Sequence, residues 1–222
     1  MSRHKLSALV PGPALLLIGL VLSTPCGAVP VKSADRVAVL ETQMNLRDLW
    51  VEHAFWIRSY VLATHAGDTQ QSKVAEAEVI ANAKALAAIV APFYGQPAAD
   101  GLLKLLAGHW DAVRDYNSAT GAKSKSGQAK ALADLTSNAR AIAKFLSGAN
   151  PYLPEQAVFG LLSAHGSHHV AQINEIASGK FKDEAATWHA MRKHMLVISD
   201  AISDALAKQF PDRFPKDHEP SS

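Results

Sequence analysis

From residue 33 onward, apolar residues recur at intervals of three and four, and glycine or proline falls between the runs in which they do so. That spacing lays one apolar face along an α-helix, and no stretch shows the alternation of a half-buried strand. The first run extends from about Ala34, capped by Ser33, to His65 and stops at Gly67. The second begins after Ser72 and stops at Pro92, and APFYGQP makes the turn to a third that Pro97 opens. Lys123 to Gly127 reads as a polar linker before a fourth run ending near Ser147. Pro154 opens the fifth, which ends near Gly179, and Asp183 caps a sixth that Pro211 terminates.

The spacing predicts an all-α fold, an antiparallel bundle of about six helices in one domain. The first three and last three helices have similar lengths, which allows a duplicated three-helix unit, although no internal sequence match supports one. The remainder, 212–222, is polar and contains prolines, so it reads as a flexible tail.

Ahead of the bundle, Arg3, His4 and Lys5 form a basic segment, Ala14 to Leu22 an apolar one, and Cys26-Gly27-Ala28 a small-residue cleavage site. Residues 1–28 therefore read as a signal peptide and 29–211 as the helical domain, with a periplasmic or extracellular address. Pro11, Pro13 and Pro25 interrupt the apolar run and argue against a membrane anchor. A lipid anchor on Cys26 fits poorly because Pro25 precedes the cysteine. No other stretch suits integral membrane insertion. Cleavage removes the single cysteine, and with it disulfides, thiolate nucleophiles and cysteine-bound metals. It also removes Arg3 and Lys5 from the 22 basic residues and leaves 20 against 20 acidic ones. A net charge near zero does not suit a nucleic-acid binder.

Ten histidines carry the chemical information. At 100° per residue, His53 lies on the apolar stripe of the first helix with Leu46, Leu49, Ile57 and Tyr60. His109 lies on that of the third with Leu102, Leu106, Val113 and Tyr116. His165 and His169 fall near the centre of the fifth helix's apolar face, four residues apart, a spacing that lets two imidazoles reach one ion. His194 lies at the edge of the sixth helix's apolar face, so four helices carry core-facing histidines. His65, His168, His189 and His218 read as solvated.

Asp48, Glu52, Asp111, Asp115, Glu175, Asp200 and Asp204 lie off the apolar stripes, against a carboxylate-bridged di-iron centre. An imidazole-rich set, His53, His109, His165, His169 and His194, suits copper, zinc or nickel, and less well a bis-histidine haem. Met191 and Met195 could add soft ligation near His194, although methionines at helical spacing are usually core filler. Trp50, Phe55, Trp56 and Tyr60 could stack on a flat cofactor but more commonly form core. Gln172 could orient an imidazole. Metalloprotease, phosphate-loop and nucleophile-elbow motifs are missing.

LRDLWVEHAFWIRSYVL, FYGQPAADGLLKLLAGH, AIAKFLSGANPYLP and KQFPDRF together resemble a family of uncharacterised bacterial secreted all-helical proteins. Its pattern is Leu-Trp-x-x-His-x-x-Trp-x-Arg, a Tyr-Gly turn before Leu-Leu-x-x-His, an Asn-Pro break, a later helix with histidine, and a terminal Gln-Phe-Pro. By position the motif histidines fall on His53, His109, His165 and His194, and Trp56 and Arg58 fit the first block. His169 and Gln172 stand where the family carries Thr and Glu, which puts any carboxylate-dependent chemistry in doubt here. The resemblance implies an exported helical protein and no particular activity. Two functions follow from the residues: a transition-metal binder in metal handling or redox stress, or a structural protein whose histidines are satisfied core residues and whose helix faces dock an envelope partner.

Overall fold

The computed structural model describes residues 36–214, so the expected signal peptide over 1–28 and the chain beyond 214 lie outside the described residues. Six long helices form: α1 (Arg36–Ala66), α2 (Thr69–Ala88), α4 (Gln96–Gly121), α5 (Lys125–Ala149), α6 (Glu155–Ala177) and α7 (Phe181–Gln209), with a four-residue helix α3 (Ala91–Tyr94) between α2 and α4. No strand occurs among the described residues. Three starts differ from expectation. α2 begins at Thr69, because Asp68 accepts from the backbone N–H groups of Gln70 and Gln71 and displaces Ser72 as the cap. Ser124 caps α5 through the Gly127 N–H, so most of the expected KSKSG linker is helix. Asp183 sits in the first turn of α7, not at its cap. Past α7 the chain makes a 3₁₀ turn over Pro211–Arg213. Phe214 then buries its ring against Phe93, so the expected loose tail does not begin at Asp212.

The helices pair as three antiparallel hairpins, α1–α2, α4–α5 and α6–α7. Around the bundle α2 packs on α4, α5 on α6 and α7 back on α1, which closes a ring. The hairpins follow one another at an ungapped interval of 56 residues, and this replaces the expected duplication of three helices. Leu49, Leu105 and Leu161 are equivalent, as are His53, His109 and His165. On the outer helices Val79, Leu135 and Met191 share one buried position and Leu86, Ile142 and Ile198 another. The turns repeat too. Gly67, Lys123 and Gly179 all have positive φ, 74°, 54° and 68°. The N–H that follows each bonds a carbonyl five residues back, Asp68 to Ala63, Ser124 to Ala119 and Lys180 to Glu175, at 2.8–2.9 Å.

Equivalent positions on α1, α4 and α6 stack in layers along the shared axis. Leu46, Leu102 and Val158 form one layer, Trp50, Leu106 and Leu162 the next, then the three histidines, then Ile57, Val113 and His169. Each large apolar side chain so enclosed contributes about 1.5–3 kcal/mol. The histidine layer interrupts this core in its middle.

Candidate metal centre

His53 on α1, His109 on α4 and His165 on α6 point to the axis from equivalent positions. Their ring centroids form a nearly equilateral triangle with sides of 5.8, 5.5 and 5.2 Å. His169, one turn beyond His165, adds a fourth ring 4.4 Å from that of His165 and 5.8–6.0 Å from those of His109 and His53. The four are at most 5% exposed. One ring nitrogen from each lies within 4.8 Å of the other three.

Little in the protein satisfies these nitrogens. His165 Nε2 and His169 Nε2 are 3.1 Å apart, so one donates to the other. Both nitrogens of His53, Nε2 of His109 and Nδ1 of His165 are buried with no hydrogen-bond partner. An unmade bond of this kind costs about 1–3 kcal/mol per group. Burial also dictates the charge state. It pushes His53 down to about 3, with help from His109, and His109 down to about 4. His165 and His169 are driven well below the usual histidine value by burial and then by the neighbouring rings. All four are neutral near pH 7 and offer lone pairs.

Behind the rings the hairpins repeat a support. Asn82 Nδ2 donates to Leu49 O and Asn138 Nδ2 to Leu105 O, both at 2.9 Å. Each carbonyl belongs to the residue four before the hairpin's axial histidine. The two amide oxygens, Asn82 Oδ1 and Asn138 Oδ1, are buried and outside hydrogen-bond geometry, yet near enough to His53 and His109 to favour their protonated forms. Gly108 allows the second contact, since a Cβ there would stand 3.1 Å from Asn138 Nδ2. In the third hairpin the equivalent of these asparagines is His194. It fills the same place, with Nε2 2.8 Å from Leu161 O, and its half-buried ring packs 5.6 Å from His168. His194 is therefore not one of the four converging rings, and buried histidines stand on three helices, not four. His168, expected in solvent, is half-buried as well.

Trp50 covers one side of the site, its ring edge-on to His53 and His165 at 5.9 and 6.0 Å. Of the other aromatics, Tyr60 packs on Trp110 and Phe55 on Trp56, so they do not form a stacking slot. Met191 and Met195 lie fully buried in the apolar cluster around Leu46 and Trp50, as filler. None of the seven carboxylates expected off the stripes is buried.

One carboxylate, unnoticed in the sequence, is buried. Glu184, at the start of α7, is 2% exposed and receives two bonds from Arg58, at 2.5 and 2.7 Å, and one from Gln172 Nε2 at 2.9 Å. Burial opposes its charge, but the Arg58 and Gln172 hydrogen bonds prevail and hold the carboxyl below its usual range. Gln172 thus orients Glu184 through its amide N–H and not an imidazole. At the far end of the axis, the last turns of α1, α4 and α6 surround an open cavity of about 490 Å³ whose wall includes Thr64, His65, Asn117 and Thr120. Among the described residues no helix is long and apolar enough to cross a membrane. No family model, curated protein or solved structure matches the chain.

Proposed function

We propose that this protein is an exported helical bundle that binds one transition-metal ion, copper, zinc or nickel, through His53, His109, His165 and His169, in metal handling or protection against redox stress. The observation that carries the reading is the convergence of four neutral, buried imidazoles, on three of which ring nitrogens lack any hydrogen-bond partner. A satisfied core histidine bonds a carbonyl or hydroxyl, and the competing structural role needs such bonds where His53 has none. Tetrahedral ligation at about 2.0–2.1 Å sets ligand nitrogens about 3.3–3.4 Å apart. The 3.1 Å between His165 and His169 is close to that, and the widest separation of 4.8 Å requires modest side-chain shifts.

The neutral ligand set brings no negative charge and, with nitrogen donors throughout, suits copper, zinc or nickel better than magnesium or calcium. Haem fits poorly, because rings packed 4.4–6.0 Å apart leave no slot for a macrocycle. The open cavity at the ends of α1, α4 and α6 lies beyond the layer of Ile57, Val113 and His169, with Val61 and Ile173 in its wall. Elemental analysis of protein purified from its native compartment tests the reading. Near one equivalent of copper, zinc or nickel is expected. Metal-free protein that also fails to take up any of these ions in titration calorimetry overturns it.

A further inference from the structure

On the side of the histidines away from the polar opening, the axis widens into a cavity of about 50 Å³. Trp50, Leu106 and Leu162 form its wall toward the histidines, and Leu46, Leu102 and Val158 its wall one turn further away. Both trios are threefold-equivalent positions, so the cavity lies on the axis. Each residue of the first trio precedes an axial histidine by three, so one layer of side chains, that of Trp50, Leu106 and Leu162, stands between the cavity and the histidines. Every side chain around it is hydrocarbon except for the indole of Trp50.

Two properties follow from size and lining. The space exceeds the roughly 10–15 Å³ that a single water needs, but water also needs two to four polar partners, which this wall does not supply. Cavities of this kind stay dry and take up apolar guests. The volume is too small for an aliphatic chain and fits a guest of two or three atoms. We propose that the cavity is a binding chamber for a diatomic gas of little or no polarity, such as dioxygen, nitric oxide or carbon monoxide, and that it delivers this gas past Trp50 to the histidine-held ion one layer away. The second half rests on the metal reading given above. The arrangement then sets an apolar chamber and a polar cavity on opposite sides of the ion.

Xenon is the probe for the chamber, since it needs no metal. Crystals of the full chain under xenon pressure are expected to hold one xenon between Trp50, Leu106 and Leu162. Xenon NMR in solution is expected to lose the bound signal in Leu162→Phe, whose helical content is checked by circular dichroism. Absence of xenon from the wild-type cavity overturns the chamber without recourse to any variant. For the second half, the Cu(I)-loaded protein is exposed to carbon monoxide and the C–O stretch is read. A stretch that shifts between wild type and Leu162→Phe supports contact between gas chamber and ion. An identical stretch in both, with xenon bound in the wild type, overturns that contact. If xenon binds but no Cu(I) does, the metal reading fails while the chamber stands.

Discussion

The first two hairpins and the third share a backbone but differ in their polar residues. In the first two, an axial histidine is backed by an asparagine, Asn82 or Asn138, and the next inward position is aliphatic, Ile57 or Val113. In the third, the asparagine is His194 and the aliphatic residue is His169. The divergence continues outward: where the others have Tyr60 and Tyr116, the third has Gln172, and where they have Ser72 and Gln128, it has the buried Glu184. The repeated frame supplies three equal imidazoles. The departures in one hairpin supply a fourth and make the site one-sided.

The comparison can be broken most forcefully with acid. Each of the four histidines is held below its ordinary value in the native state, His53 at about 3 and His109 at about 4. The unfolded chain therefore binds more protons below about pH 6.5, and stability falls as pH drops from there toward the native values. At about 1.4 kcal/mol per histidine per pH unit, the loss is on the order of 5 kcal/mol for one unit in metal-free protein. Chemical denaturation across pH is expected to give a slope of at least four protons in the wild type, about one fewer in His169→Val, and nearly the wild-type slope in His194→Asn, where the partly buried His168 loses a neighbouring charge. A slope unaffected by His169→Val would remove His169 from the buried set.

Metal affinity separates the axial histidines from the added one. His53→Ala or His109→Ala should weaken Cu(II) or Zn(II) binding by about 100-fold or more, while His169→Val, which gives the third hairpin the residue of the second, leaves three ligands and costs less. Calorimetric titration at pH 7.5 checks the order, and equal losses would mean that the threefold set has no priority. The supports come next. Asn82→Ala and Asn138→Ala should each cost about tenfold in affinity if they hold their rings for the ion, whereas His194→Asn should leave affinity within a few-fold.

The smallest effect concerns the turns. Lys123 holds φ of 54° where its equivalents are Gly67 and Gly179. Lys123→Gly relieves that strain, offset by the greater freedom of glycine in the unfolded chain, and should stabilise by up to about 1 kcal/mol. A lowered melting temperature would contradict it.

Helical periodicity and breakers made six helices legible, and stripe positions made His53, His109, His165 and His169 legible as core residues. The threefold repeat was harder to see because its buried positions exchange freely among Leu, Ile, Val, Met and Ala, all of which satisfy the same apolar face. Its residue-level trace is the common interval between His53, His109 and His165. That interval also leads to Asn82 and Asn138, which look unremarkable inside Ala-rich helices. His194 was misplaced because a stripe edge does not distinguish an imidazole aimed at the axis from one bonded to a neighbouring carbonyl. Glu184 gave no local signal, since its partner Arg58 lies 126 residues earlier.

Short connections, one of them containing α3, join five of the ring's six helix junctions, and the sixth, where α7 meets α1, has none. Beside the apolar packing and the bond from Ser199 Oγ to Leu46 O, it is fastened by two charged clasps, Arg47 with Asp200 near the surface and Arg58 with the enclosed Glu184. Separating α7 from α1 stretches no connecting chain, so this junction is the one at which the bracelet can spring open sideways. The outer clasp is worth about 1 kcal/mol or less, and breaking the inner one by losing a partner costs about 3–5. The inner clasp is therefore the stronger of the two, and a carboxylate that touches no histidine adds to the apolar packing of Met191, Met195 and Ile198 on Leu46 and Trp50 in holding the ring shut.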